Sequence, residues 1–175
     1  MRYQVFPAGP FDAEALAEVH VASWRETYLG ILPDDFLARM STRDHARRWL
    51  RGLTRPEPLD VTLAAGDADG LVGYVSGGRS RHPRPDEAEI HTLYVLQKAQ
   101  RAGLGRELVQ GAARVLAANG ARSLMISVLR DNANARGFYE HLGGVAEPPR
   151  REPGPGGVLF EVAYVWPDIG TLTGL

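Results

Sequence analysis

The sequence predicts a mixed α/β domain built around a central sheet, and three observations carry that expectation. Segments that alternate apolar and polar residues, the period of a half-buried strand, interleave with segments whose apolar residues recur at i, i+3 and i+4. Hydrophobic residues make up 44% of the 175-residue chain and charged residues 23%, a balance that supplies one globular core. No internal repeat or long linker divides the chain, so one domain over residues 1–168 with a tail at 169–175 is expected.

Residues 2–6 alternate as a short strand, ended by Pro7-Ala8-Gly9-Pro10. Residues 12–28 read as a helix with Leu16, Val19, Ala22 or Ser23, and Trp24 on one stripe, broken by Gly30 and Pro33. A second helix starts near Pro33 or Asp34. A third follows Ser41: Ser41-Thr42-Arg43-Asp44 has the form of a capping box, with Trp49, Leu50 and Leu53 as apolar anchors. Strands at 61–65 and 71–76 meet around Asp67-Ala68-Asp69-Gly70, a hairpin signal. A Pro/Arg-rich loop at 80–86 precedes a strand at 88–95. The strongest helical pattern, 103–119, puts Leu104, Leu108, Ala112 and Val115 on one stripe, and Gly120 stops it. Residues 122–129 form a strand apolar on both faces, hence central. A short helix at 133–142 carries Ala135, Phe138, Tyr139 and Leu142 and ends at Gly143-Gly144. A Pro/Gly/Arg loop at 147–157 leads to a last strand at 158–166, and 169–175 reads as a frayed tail.

Composition narrows the function classes. Acidic and basic residues nearly cancel (21 against 20, net −1), so neither nucleic acid nor an anionic membrane is an expected partner. The chain has no cysteine, which excludes a disulfide scaffold, a thiolate metal site and a cysteine nucleophile. No His/Asp/Glu group has metal-ligand spacing, and no metal is expected. No apolar run approaches the ~20 residues that cross a bilayer. The N-terminus lacks the apolar core of a signal peptide, so a cytoplasmic protein is the expectation.

The most informative segment is the strand at 88–95, then Leu96-Gln97-Lys98-Ala99, then Gln100-Arg101-Ala102-Gly103-Leu104-Gly105 opening a helix. Glycines at a helix start let the backbone approach a ligand, and the free N–H groups at the positive end of the dipole favour a phosphate. Arg101 and Arg106 flank the loop. A dinucleotide fingerprint fails at Leu108, and a P-loop fails at Arg106-Glu107. A bare Gly-x-Gly is also what a tight turn into a helix needs, so the loop by itself leaves its ligand open.

The wider strings are more specific. Leu93-Tyr94-Val95 followed by Gln100-x-x-Gly103-x-Gly105 resembles the acetyl-CoA signature of the GCN5-related N-acetyltransferase (GNAT) superfamily. Asn132-Ala133-Asn134-Ala135-Arg136-Gly137-Phe138-Tyr139-Glu140-His141-Leu142-Gly143 resembles that family's Asn-x-x-Ala-x-x-Phe-Tyr-x-x-x-Gly segment. His20-Val21-Ala22-Ser23-Trp24-Arg25-Glu26-Thr27-Tyr28 is similar to a common first helix of bacterial members. One departure is Gly144, where the family usually has Phe, and an aromatic packing contact is expected to weaken there.

The resemblance implies a single-domain GNAT fold: a mixed sheet of six to seven strands, splayed between the fourth and fifth, with four to five helices. It implies transfer of an acetyl group from acetyl-CoA to a primary amine, on a small molecule or a peptide, by direct attack in a ternary complex. A non-catalytic acyl-CoA sensor and a protein N-terminal acetyltransferase are the alternatives, and a homodimer stays open. Main-chain groups of Leu93 and Val95 would pair with the pantetheine arm, an N–H of this pair facing the thioester oxygen. The N–H groups of Arg101, Gly103, Gly105 and Arg106 would hold the pyrophosphate. Tyr94, Gln100, Ala102 and Leu104 belong to the same cofactor motif, and Asn132 and Asn134 to the second one. Tyr139 is the candidate general acid, although periodicity alone makes it core.

An amine also needs a base. Strand alternation puts Glu89, His91, Leu93 and Val95 on one face. Glu89 stands where the histone-acetylating branch of the family carries its base; it would draw the proton through a water, or it is a solvated carboxylate. His91 would share the work or line the acceptor pocket. Trp24 and Tyr28 are acceptor candidates through cation–π contact, or core residues.

Overall fold

The computed structural model describes residues 3–81 and 87–174. Strands β1 (Gln4–Pro7), β2 (Val61–Asp67), β3 (Gly70–Arg79), β4 (Glu87–Val95), β5 (Ser123–Leu129), β6 (Val145–Ala146), β7 (Arg150–Gly154) and β8 (Gly157–Trp166) share one sheet, ordered β1-β2-β3-β4-β5-β8-β6 with β7 also on β8. Helices α1 (Ala13–Tyr28), α2 (Asp34–Ala38) and α3 (Thr42–Thr54) precede β2; α4 (Leu104–Ala118) joins β4 to β5, α5 (Ala133–His141) follows β5, and α6 (Gly170–Thr173) ends the chain.

β4 and β5 are the parallel pair, and α4 is the crossover that a parallel connection requires. Their ladder covers only Glu87–Ile90 against Ser123–Ile126. Beyond it β4 continues along β3 to Val95 while β5 continues along β8 to Leu129. The sheet therefore splays, as the resemblance implies, and the gap opens at the C-terminal ends of β4 and β5.

The sheet separates two packed layers. On one face Leu104, Leu108, Val109, Ala112, Ala113 and Leu116 of α4 pack on Val75, Ile90, Ile126 and Tyr164, with Tyr139 of α5 and Leu172 of α6. On the other face Leu16 and Val19 of α1 pack on Ala64 and Tyr74, flanked by Trp49 and Leu53 of α3. Tyr28, Leu32 and Leu37 carry that layer across the gap to Tyr94, Leu129 and Leu159.

Local chemistry sets the helix ends. The Ser41 hydroxyl accepts from the Asp44 N–H at 3.2 Å, half of the expected capping box. Asn132 caps α5 by accepting from the Ala135 N–H at 3.1 Å. Gly143, at φ +83°, ends α5 in the left-handed region.

Several expectations need correction. Val115 is exposed and Leu116 takes its place in the stripe of α4; Leu50 is exposed too, so Trp49 and Leu53 anchor α3 without it. The stretch 147–157 contains β7, paired with β8 from Arg150↔Glu161 to Gly154↔Gly157 through a tight turn at Pro155-Gly156. Its Pro153 is tolerated because β7 lies on a sheet edge, where a missing N–H leaves no ladder bond unmade. The tail is not frayed: Ile169, Leu172 and Thr173 are buried, and Arg114 Nε donates to the Thr173 carbonyl at 3.1 Å. The expected loop at 80–86 falls mostly outside the described residues, as do Arg2 and Leu175.

Candidate active site

The bend between β4 and α4 begins with a turn at Gln97–Ala99, held to α1 by the Glu26 carboxylate, which accepts from the Gln97 N–H at 2.9 Å. Arg101 (φ +61°) and Gly103 (φ +82°) both occupy the left-handed region. For a non-glycine residue that conformation costs on the order of 1 kcal/mol. Among the described residues, no protein acceptor takes a main-chain N–H of residues 101–106; the next one along, that of Glu107, binds the Gly103 carbonyl at 3.1 Å. Gln100, Arg101, Ala102, Gly103 and Arg106 are exposed, Gly105 is half-buried and Leu104 points into the core. A Cβ on Gly105 would lie 3.3 Å from Phe138 Cζ, so glycine there lets α4 approach α5.

The C-terminal half of β4 faces the gap. The Leu96 N–H donates to the Val72 carbonyl at 2.8 Å, toward β3. Strand alternation then turns the main-chain groups of Tyr94 toward β3 and those of Leu93 and Val95 toward the gap. The Val95 carbonyl accepts from Gln100 Nε2 at 2.8 Å, which ties the strand end to the bend.

A bulge interrupts β4 just before this segment. Ile90 lies opposite Gly77 and Thr92 opposite Ser76, so His91 is the extra residue. The side-chain parity flips across it: Ala88 and Ile90 before the bulge and Leu93 and Val95 after it all join the α4-side core. The expectation that Glu89 and His91 share a face with Leu93 and Val95 therefore fails for both: Glu89 points to the α1 face with Thr92 and Tyr94, and His91 lies at the edge of that face.

Glu89 is fully buried, and Arg81 closes over it. The Arg81 N–H donates to Oε2 at 2.8 Å and its Nε to Oε1 at 3.0 Å, and Arg81 Nη2 also bonds Oε1. Burial pushes this carboxyl up, but the Arg81 hydrogen bonds and charge outweigh it and hold it below the usual carboxylate range. His91 Nε2 lies 3.2 Å from the Arg79 carbonyl, at the edge of the same face.

Three phenols meet near the gap. Tyr28 and Tyr94 hydroxyls are 3.1 Å apart. Tyr139 is 5% exposed, its ring edge-on to Trp166 at 6.3 Å, and its hydroxyl has no hydrogen-bond partner among the described residues. Burial, and then the neighbouring Tyr28, raise its proton affinity; burial does the same for Tyr28 and Tyr94. All three stay protonated at neutral pH. The Gly144 departure has a local cause: a Cβ there would lie 2.8 Å from Trp166 Cζ2, so Trp166 fills the space and supplies the aromatic contact expected to weaken.

Trp24 packs edge-on to Tyr28 at 4.9 Å and lies 6.3 Å from Tyr94, so both acceptor candidates reach the cluster that spans the gap. Asn132 is buried at its cap and Asn134 is exposed on the first turn of α5. Sequence reasoning missed Arg81, the side chain of Tyr94, and the Thr92–Ser76 pair. Polar Thr92 and aromatic Tyr94 alternating with Leu93 and Val95 was the available signal. Among the described residues no group of three or more His, Asp or Glu could hold a metal ion, and no helix is long and apolar enough to cross a membrane.

Comparison with known proteins fits this geometry. The profile of the acetyltransferase (GNAT) family matches residues 15–144. The uncharacterized N-acetyltransferase YuaI of Bacillus subtilis is 30% identical over 163 residues, covering 92% of this chain and 91% of that protein. The crystal structure of PaiA N-acetyltransferase from Thermoplasma acidophilum in complex with coenzyme A superposes with a TM-score of 0.69 at 20% identity, covering 95% of this chain and 100% of that one. YncA of Salmonella typhimurium, solved with acetyl-CoA, gives a TM-score of 0.69 at 16% identity over 94% and 92% of the two chains. The chain belongs to the acetyltransferase (GNAT) family and is an N-acetyltransferase.

Proposed function

We propose that the chain takes an acetyl group from acetyl-CoA and gives it to a primary amine, on a small molecule or a peptide, by direct attack in a ternary complex. The observation that carries this reading is the bend at residues 101–106, whose N–H groups have no protein acceptor and stand at the positive end of α4. Successive free donors beside two arginines fit a diphosphate. The main-chain groups of Leu93 and Val95 face the gap with no strand opposite, an edge that suits the amides of a pantetheine arm as it would suit an added strand. Asn132 commits its side-chain oxygen to the cap, which leaves its amide N–H groups for a ligand, and Asn134 stands beside it.

Acetyl-CoA, when bound, supplies an acyl group activated as a thioester. The Val95 N–H faces the gap as a fixed donor, and donors of that kind are typically worth ~10²- to 10³-fold in rate. Tyr139 holds a proton at its hydroxyl for the departing sulfur; the burial that raises the phenol raises a thiolate leaving into the same dry site, so the two stay matched. Trp24, Tyr28 and Tyr94 receive the acceptor on the α1 side, with His91 at its rim. Glu89, sealed under Arg81, contributes fixed negative charge on that side in place of proton abstraction.

The test is thiol release from acetyl-CoA with spermidine, phenethylamine and an alanyl tripeptide, beside calorimetry with CoA. Micromolar CoA binding with turnover of at least one amine is expected. Failure of CoA to bind overturns the reading.

A further inference from the structure

The last turn of α1 is tied to three parts of the fold. Trwo-sided packing is not needed for this: Trp24 and Tyr28 join the aromatic cluster at the gap, while Arg25 and Glu26, both exposed, grip the backbone of other elements. Arg25 Nε donates to the Leu37 carbonyl of α2 at 3.2 Å. Glu26 Oε2 accepts from the Gln97 N–H at 2.9 Å, a contact across 71 positions that joins the same turn to the bend before α4.

Gln97 opens the turn Gln97–Ala99, just ahead of Arg101. Within it the Ala99 N–H donates to the Leu96 carbonyl at 2.9 Å and the Gln100 N–H to the Gln97 carbonyl at 3.2 Å. Ala99 is buried in the α4-side core, and the Gln100 side chain bonds the Val95 carbonyl at 2.8 Å. These contacts hold the turn to β4 and to the core under α4, and Glu26 adds α1. A left-handed Arg101 persists where its surroundings over-determine it, and the anchors stand directly upstream of it.

The charge of Glu26 is informative. In the reading above, the bend it touches offers free N–H groups, Arg101 and Arg106 to a diphosphate. A carboxylate close to that site opposes an anionic ligand by Coulomb repulsion. What it can contribute there is geometry.

We propose that Glu26 is a positioning residue: its bond to Gln97 ties the cofactor bend to the turn of α1 that carries Trp24 and Tyr28, and so sets the thioester against the acceptor. This rests on the acetyl-transfer reading above. The bond is exposed, so its strength is that of one charge-assisted hydrogen bond weakened by water. Its leverage is larger, because misplacing reacting groups by ~1 Å can cost about 10²-fold in rate. No covalent bond or proton changes hands at Glu26.

The experiment compares Glu26→Ala and Glu26→Gln with wild type. It uses calorimetry with CoA, and thiol release from acetyl-CoA with whichever of spermidine, phenethylamine and the alanyl tripeptide wild type turns over fastest. Alanine suits an exposed helical position, so the thermal midpoint should stay near wild type. In Glu26→Ala, CoA binding should weaken about three- to tenfold and kcat should fall at least about threefold. Glu26→Gln keeps an acceptor oxygen for Gln97 and discards the charge, so it should bind CoA at least as well as wild type. Hydrogen exchange on the unliganded protein gives a reading free of activity: the Gln97 N–H exchanges faster in Glu26→Ala and near the wild-type rate in Glu26→Gln.

Repulsion alone predicts the opposite sign, with both variants binding CoA more tightly than wild type. That result overturns the tie alone, as does an alanine variant equal to wild type in CoA affinity or in kcat. A glutamine variant as weak as the alanine one overturns it too, and so does Gln97 exchange that neither substitution alters. Wild type that neither binds CoA nor turns over any amine overturns the acetyl-transfer reading and the role of Glu26 with it.

Discussion

The guanidinium of Arg81 lies over the carboxylate of Glu89, with Nε 3.0 Å from Oε1 and the main-chain N–H of the same arginine 2.8 Å from Oε2. Glu89 has no exposed surface while 65% of the Arg81 side chain is exposed, so the pair is a lid of positive charge on a buried negative one. That changes what Glu89 can do. A carboxylate bound through both oxygens and held below its ordinary range is a weak proton acceptor, and the α1 face keeps its charge whatever happens to the substrate.

The pair has a stability signature. Because the folded carboxyl is depressed, its contribution is present above the ordinary carboxyl value of ~4.3 and is lost as pH falls through the folded value. Glu89→Gln should flatten the acid end of a stability-versus-pH curve below that point. Arg81→Ala should cost about 1–3 kcal/mol at neutral pH, since it uncovers a buried charge that water reaches only in part. Urea unfolding across pH measures both.

Tyr139→Phe removes one hydroxyl and keeps the ring packed on Trp166 and Tyr164. Turnover should fall about 10²-fold or more, with CoA affinity and thermal midpoint near wild type. Steady-state kinetics beside calorimetry separates the two effects, and an unchanged kcat would remove Tyr139 from its role.

Gly105→Val tests the contact between α4 and α5. The added Cβ meets the Phe138 ring at 3.3 Å, and the branches beyond it push the first turn of α4 away. Such overpacking costs about 1–3 kcal/mol, and CoA binding should weaken about tenfold as the bend shifts. Gly105→Ala should weaken it less, because Phe138 can yield slightly.

Much of this architecture was legible because the helices and strands are locally consistent with their periods. Gly103 and Gly105 marked the bend, and Asn132 and Gly143 bounded α5 correctly. The bulge at His91 was not legible: β4 carries no glycine there, its glycine being Gly77 on the partner strand, and the period-2 pattern runs through it, so the parity flip that turns Glu89 away from Leu93 needs the partner strand to be seen. β7 was hidden by Pro153 and Gly154, which read as loop when the edge position that tolerates them is unknown. Leu172 lies three residues after Ile169, a helical spacing too short to claim an element at a chain end. Arg81 sits in a Pro/Arg-rich stretch whose composition hides its one buried partner. The contact of His20 with Tyr74 spans 54 positions, a distance at which only tertiary packing brings residues together.

Buried His20 predicts a second pH effect. An unfolded histidine titrates near ~6.5, whereas folded His20 is lowered to about 3. The unfolded chain therefore binds the extra proton first, and stability, full above ~6.5, declines as pH falls through the window to about 3. The slope approaches about 1.4 kcal/mol per pH unit. His20→Phe should show a shallower decline across that window in urea unfolding, whatever its absolute stability. An equal slope would mean that His20 is protonated without cost in the folded state.

In the proposed reaction the free main-chain amides of residues 101–106 grip the cofactor. Amide NMR during a CoA titration tests it most directly. The largest shifts are expected at Arg101, Ala102, Gly103, Leu104, Gly105 and Arg106, joined by Leu93 and Val95 on the open edge of β4. Saturable binding that leaves those amides unmoved, with shifts elsewhere on the fold, would contradict it.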